Sequence, residues 1–184
     1  RIGEMGVSAF SIILYIASLV IAIFSGICNG ISPIISFNYG ANNKDRINKI
    51  LKIAISTITI IGISSTILMI FGGETLIKMF SKGDAELIRI TAEATKLYSV
   101  AFVFNGLNIL TSAYFTALED AKTSAIISVL RGVILILIFI IILPIILGDI
   151  GIWLTVPASE LVTVFIAVNY MKKADLKIQK MKIA

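Results

Sequence analysis

The spacing of its charges most constrains what this chain can fold into. Thirty-nine uncharged residues separate Glu4 from Lys44, 21 separate Lys52 from Glu74, and 22 separate Lys96 from Glu119. From 123 to 148 the one charge is Arg131, and from 150 to 171 it is Glu160. A helix crosses a bilayer with roughly 20 mostly apolar residues. The charge-free runs therefore predict five spans, near residues 7–37, 50–72, 94–118, 123–147 and 150–171. Composition agrees: 58% of residues are hydrophobic, 15% are charged and the mean hydropathy is +1.00. Soluble domains run at about 45–50% apolar and about 25% charged, and a chain this size would lack the polar surface to cover a soluble core. A soluble globular domain and a disordered chain are excluded. Long continuous apolar runs, rather than short alternating ones, also argue against a transmembrane barrel. The fold class is all-α integral membrane.

The first run contains no polar turn, so it reads as one long, bent helix, with Gly26, Gly30 and Pro33 as kink or hinge positions in its second half and Gly40 as its stop. Gly72-Gly73 reads as the end of the second span, followed by a short surface helix at Thr75–Phe80. Ser81-Lys82-Gly83-Asp84 reads as a turn, with Asp84 capping a helix over about 85–118. That helix is longer than the bilayer requires, and Glu86, Arg89, Glu93 and Lys96 form an interfacial charge ladder on its first turns. No internal repeat or low-complexity linker is evident. Eleven Lys and Arg fall on one side of the spans: Lys44, Arg46, Lys49, Lys52, Lys122, Arg131 and the tail Lys172, Lys173, Lys177, Lys180 and Lys182. Four fall on the other, Arg1, Lys78, Lys82 and Arg89. The positive-inside rule makes the 41–49 loop and the basic tail 172–184 cytoplasmic and the start external. The start at Arg1, with no Met and no signal-peptide pattern, suggests a piece of a longer product.

Glu160 is the sharpest chemical signal, a carboxylate in mid-span three residues after Pro157. Such a group costs about 2.5–3.5 kcal/mol on insertion scales, and Pro157 frees a carbonyl one turn away. Glu160 is either a proton- or cation-linked acid or a structural acid bonded to another helix. Asn105 and Asn108, three residues apart, share a face; with Tyr114, Ser99, Thr111 and Ser112 nearby, they either tie helices together or line an aqueous cavity. Arg131 reads as an anchor snorkelling to the interface, and Phe102, Phe104 and Phe115 as packing or lipid-facing. Asn29, Ser32, Ser36, Asn38 and Tyr39 decorate the Gly/Pro-rich end of span one, where transporters expose backbone to a cavity; Asn38 and Asn43 are alternatively helix caps. The chain has no His, a single Cys28, no phosphate loop and no paired carboxylates within a span, so no catalytic residue, metal site or enzyme activity is expected. No filter loop or charged ring suggests a channel. The net charge of +5 reports cytoplasmic loops rather than nucleic-acid binding.

The stretch from Gly26 to Asn43, with Pro33 and the closing Gly40-Ala41, resembles the second helix of the C-terminal lobe of multidrug and toxic compound extrusion (MATE) transporters. Ala113 to Ser124 is similar to the family's cytoplasmic junction before its eleventh helix. Leu130-Arg131, Leu143-Pro144, Gly148, Gly151 and Pro157 resemble its last two helices. The order and spacing of these motifs cover nearly the whole chain. The resemblance implies helices eight to twelve of a twelve-helix transporter, with the seventh helix and the N-terminal lobe of the same protein missing. It implies export of small cationic amphipathic drugs across a bacterial inner membrane in exchange for H+ or Na+, with no other cofactor. Some members carry a coupling carboxylate in the tenth helix, where this chain has Asn105 and Asn108. The candidate substrate or ion cavity residues are thus Asn105, Asn108, Glu160, Asn38 and Tyr114. Two alternatives remain: a lipid-linked oligosaccharide flippase of the same superfamily, whose cavity should be strongly cationic, and a non-transporting membrane subunit.

The charge bias generates a direct test. In a Cys28-free background, a cysteine at position 44 should resist an impermeant thiol reagent in intact cells and react after permeabilisation; labelling from outside would reverse the orientation.

Overall fold

The computed structural model describes residues 3–81 and 83–180, with side chains described to residue 174. The order is α1 (Gly3–Gly40), α2 (Lys44–Phe80), α3 (Ala85–Ser99), α4 (Ala101–Ala117), α5 (Ala121–Val129), a π turn (Leu130–Ile134), α6 (Leu135–Leu147) and α7 (Asp149–Lys180). No strand occurs among the described residues. Helices α5 and α6 and the turn between them form one rod, Ala121–Leu147, and α3 and α4 together form a bent pair long and apolar enough for one span. Four single helices and this bent pair account for five candidate spans.

Helix α4 is the hub, packed against α1, α2, α5 and α7. Its approach to α2 is set by missing side chains. A methyl on Gly62 would stand 2.9 Å from Val103 Cα, and one on Gly106 would stand 2.6 Å from Ile58 and 3.0 Å from Phe24. Small residues let helix backbones close up where lipid offers no hydrophobic drive between helices. Phe24, Ile58, Leu110 and Phe102 fill the core beside them. A second cluster at the other end joins Ile35, Ile47, Phe115 and Ile127. Helix α6 buries no side chain; its Ile- and Leu-rich surface suits acyl chains. Gly148 turns α6 into α7 in a single residue, with φ 61 and ψ −140, a conformation that demands glycine.

Several sequence expectations meet a different geometry. Gly72-Gly73 ends nothing: α2 runs unbroken to Phe80, so Thr75–Phe80 is its last turns rather than a separate helix. The helix expected over 85–118 bends by 46° at Val100. Neither Gly nor Pro causes this; Ser99's carbonyl is instead met by the Thr66 hydroxyl of α2 at 2.8 Å, a partner supplied by tertiary packing. Gly40 is still helical, and the left-handed residue after α1 is Asn42, at φ 55. The basic segment from 172 continues α7 as helix to Lys180. Of the charge ladder, Arg89 and Glu93 pair at 3.5 Å. Asp84 caps α3 through the amides of Glu86 and Leu87, and Asn43 caps α2 through that of Arg46. Arg1, Lys82 and Lys182, used in orienting the spans, lie outside the described residues, as do the side chains of Lys177 and Lys180.

The α2–α4 contact predicts a contrast between glycines. Gly62→Ala in the full-length protein should lower thermal stability by about 1–3 kcal/mol through overpacking. Gly26→Ala, whose methyl meets nothing within 4 Å, should leave stability unchanged or raise it by up to about 1 kcal/mol through helix propensity. Equal melting shifts for the two would refute the close approach.

Candidate functional site

Helix α7 turns small residues towards α4. Thr155, Ser159, Thr163 and Ala167 recur every fourth residue and are buried. The three hydroxyls donate back to their own helix, to Gly151, Val156 and Ser159 carbonyls, so this face presents no unmet polar group. Pro157, also buried, leaves the Trp153 carbonyl without a helical donor. On this face one large polar group protrudes, Glu160, at 5% exposure.

Its carboxylate is enclosed by three donors. Asn105 Nδ2 donates to Oε1 at 2.8 Å. Asn108 Nδ2 donates to Oε2 at 2.6 Å and lies 2.9 Å from Glu160's own backbone carbonyl. Arg131 Nη1 approaches Oε1 at 3.3 Å. Two helical positions three apart on α4 thus grip one carboxylate, each oxygen receiving an amide. The two Asn oxygens, Asn105 Oδ1 and Asn108 Oδ1, are buried with no hydrogen-bond partner. An orphaned buried amide oxygen is costly, and here two flank one acid.

Arg131 reaches this site because of the backbone. It sits in the π turn Leu130–Ile134, where Leu135 N–H bonds Leu130 carbonyl across five residues. A π turn rotates the side chains around it and frequently marks a functional site. Arg131 therefore points inward to Glu160 rather than snorkelling to the interface as the sequence suggested. Its side chain remains 21% exposed, into a groove of about 370 Å³ whose lining includes Ser25, Asn29, Ser32, Ser112, Ser128 and Arg131. Along the lining, hydroxyls join α4 to α5: Ser112 lies 2.9 Å from Ser124 and 2.8 Å from Ser128, and Thr116 lies 2.8 Å from Ser124.

The five cavity candidates are therefore distributed unevenly. Asn105, Asn108 and Glu160 come together, but in a closed cluster, and none of the five lines the polar groove. Asn108 borders a separate, mostly apolar cavity of about 180 Å³ with Ile55, Leu110 and Val164. Asn38 is buried and donates to Ile34 of its own helix at 2.7 Å, so it caps nothing. Tyr114 is buried edge-on to Phe115. Phe102 and Phe115 are core residues. Gly26, Gly30 and Pro33 lie on the exposed side of an unbroken α1. Sequence reasoning missed Arg131's inward role and the contribution of Ser124 and Ser128. The groups joining Ser112 on α4 lie 12 and 16 residues away on α5, a pairing no single-helix pattern reveals.

A double-mutant cycle tests the cluster. Asn108→Leu should destabilise the full-length protein more in the native background than with Glu160→Leu, by a coupling of about 1–2 kcal/mol, within the range for charged and intramembrane hydrogen bonds. Zero coupling would show that the two do not interact.

Known proteins share both sequence and shape with this chain. The MatE family profile matches residues 1–148, which leaves α7 outside the match. The multidrug export protein MepA of Staphylococcus saprophyticus is 25% identical over 134 residues, 73% of this chain and 29% of the relative. A structure described as the outward-facing conformation of a multidrug resistance MATE family transporter of the MOP superfamily aligns with a TM-score of 0.90 at 19% identity, over 97% of this chain and 40% of that one. An inward-facing counterpart aligns with a TM-score of 0.86 at 17% identity, over 94% and 40%. The chain thus spans well under half the length of the transporters it matches. With a profile match over most of its length and this arrangement of helices, the chain is a multi-pass membrane protein that belongs to the MatE family.

Proposed function

We propose that this chain is the C-terminal portion, helices eight to twelve, of a multidrug efflux antiporter of a bacterial cytoplasmic membrane. The whole protein would export cationic amphipathic compounds in exchange for protons or sodium ions, by alternating access. The observation that carries this reading is the buried Glu160 with Asn105, Asn108 and Arg131 around it. A proton or sodium ion reaching Oε1 would compete with Arg131 for the same oxygen. The carboxylate offers oxygen ligands that suit a hard cation; the amides of Asn105 and Asn108, whose Nδ2 atoms face the acid, would add theirs only by turning over.

Alternating access draws support from the likeness of this helix set to both outward- and inward-facing transporters. A lobe that keeps its internal packing can rock as a body against the N-terminal lobe. Drug and coupling ion would then favour opposite-facing states, and that difference couples the two fluxes. The flippase alternative calls for a broadly cationic cavity, whereas Arg131 is the one cation on the groove's lining among the described residues.

The test is made in the full-length parent, reconstituted in liposomes. Glu160→Gln keeps size but holds no negative charge, and its NH2 replaces one accepting oxygen, so thermal stability is measured beside transport. Ethidium efflux should fall about tenfold or more at the pH or sodium gradient that drives the native protein, and its dependence on that gradient should flatten. Unchanged rate and gradient dependence would assign Glu160 to packing. The 184 residues expressed alone should confer no ethidium resistance.

A further inference from the structure

We propose that the groove between α1, α4 and the π turn is a subsite for the anionic or acceptor-rich end of an amphipathic, zwitterionic substrate, with Arg131 as its counter-ion. This rests on the reading that the chain forms one wall of a transport cavity. The groove is too polar to face acyl chains, since serines, an asparagine and an arginine line it. It is polar in a particular sense: no Asp or Glu is among its lining residues. The nearest acid, Glu160, is buried behind Arg131 and does not reach the groove.

The one charged group on the lining among the described residues is the guanidinium. Arg131 offers five N–H groups, and one nitrogen is engaged, by a single long contact to Glu160 rather than a bidentate pair. Its other nitrogens have no partner among the described residues. Across the groove, the exposed Asn29 amide likewise has no partner among the described residues. Ser112 and Ser128 add hydroxyls held in place by their mutual bond. Ile21 and Ile109 supply apolar wall at the same opening. The hydroxyl and amide oxygens of this lining can face a cation, but a permanent cation there also meets the guanidinium of Arg131. A carboxylate attached to a flat apolar body satisfies both the donors and the wall. The cationic end of such a ligand then faces away from this wall.

A matched pair of dyes tests this in the full-length protein. Rhodamine B carries a free carboxylate beside its cationic ring system, and rhodamine B ethyl ester has the same rings without the anion. Binding is read by fluorescence anisotropy and transport by liposome efflux. Arg131→Gln should weaken rhodamine B binding about tenfold and change ester binding less than about twofold, while Arg131→Lys should recover most of the loss. Because Arg131→Gln also deprives Glu160 of a neighbour, Asn29→Leu serves as a variant with no contact to the buried cluster. It should weaken rhodamine B about threefold and spare the ester. Equal effects on both dyes, or a native protein that binds the ester as tightly as rhodamine B, would overturn the subsite. If the native protein discriminates the dyes but transports neither, the efflux reading fails and the subsite stands.

Discussion

A carboxylate in the interior of a membrane must be met by donors from other helices, and much of this structure follows from meeting Glu160. The donors come from α4 and the π turn, so α7 must lie against both. That proximity requires the small, self-satisfied face of Thr155, Ser159, Thr163 and Ala167. It also requires α4 to sit at the centre, which the close approaches at Gly62 and Gly106 allow. Hydrogen bonds within membranes are individually modest, but three converging on one group define one rotation of one helix.

The irregularities of the helices are placed where polar groups need them. The bend at Val100 opens Ser99's carbonyl, and Thr66 closes it. The π turn directs Arg131 inward to Glu160 while leaving it on the groove. Pro157 loosens α7 one turn before the acid. A departure from a straight α-helix leaves backbone groups that lipid cannot satisfy, and at Ser99 a side chain of a neighbouring helix meets the freed carbonyl.

Legibility in the sequence divides along the same line. The candidate spans were readable because charge spacing sets their bounds, and Asp84 and Asn43 were readable as caps because a cap bonds to residues two or three away. Glu160 stood out because charge is rare in a span. The partners of Glu160 were only half visible: Asn105 and Asn108 announce themselves as a pair, but their target is more than fifty residues away. Arg131 was misread because snorkelling is an inference from depth, and the π turn that redirects it has no sequence mark in Leu130–Ile134. Val100 lies in an apolar stretch without Gly or Pro, so its bend was invisible, whereas Gly72-Gly73 looked like a stop and was absorbed by packing, with Gly73 buried against Met69.

The two polar features of the lobe, the closed cluster and the open groove, share one side chain. Glu160, Asn105 and Asn108 belong to the interior alone; Asn29, Ser112 and Ser128 belong to the groove alone. Arg131 belongs to both, with its Nη1 on the carboxylate and its remaining surface in the groove. Any local influence of Glu160's charge on what occupies the groove must therefore pass through this guanidinium, whose field the carboxylate partly cancels. With the acid ionised, the groove sees a compensated cation. With a proton or a metal ion on the acid, it would see an uncompensated one, partly screened because the guanidinium is 21% exposed. A cationic ligand is then repelled and an anionic end held more tightly. The sign of the effect depends on which end of a ligand faces this wall, so under the proposed ion coupling the same pair of charges would either expel or retain that ligand.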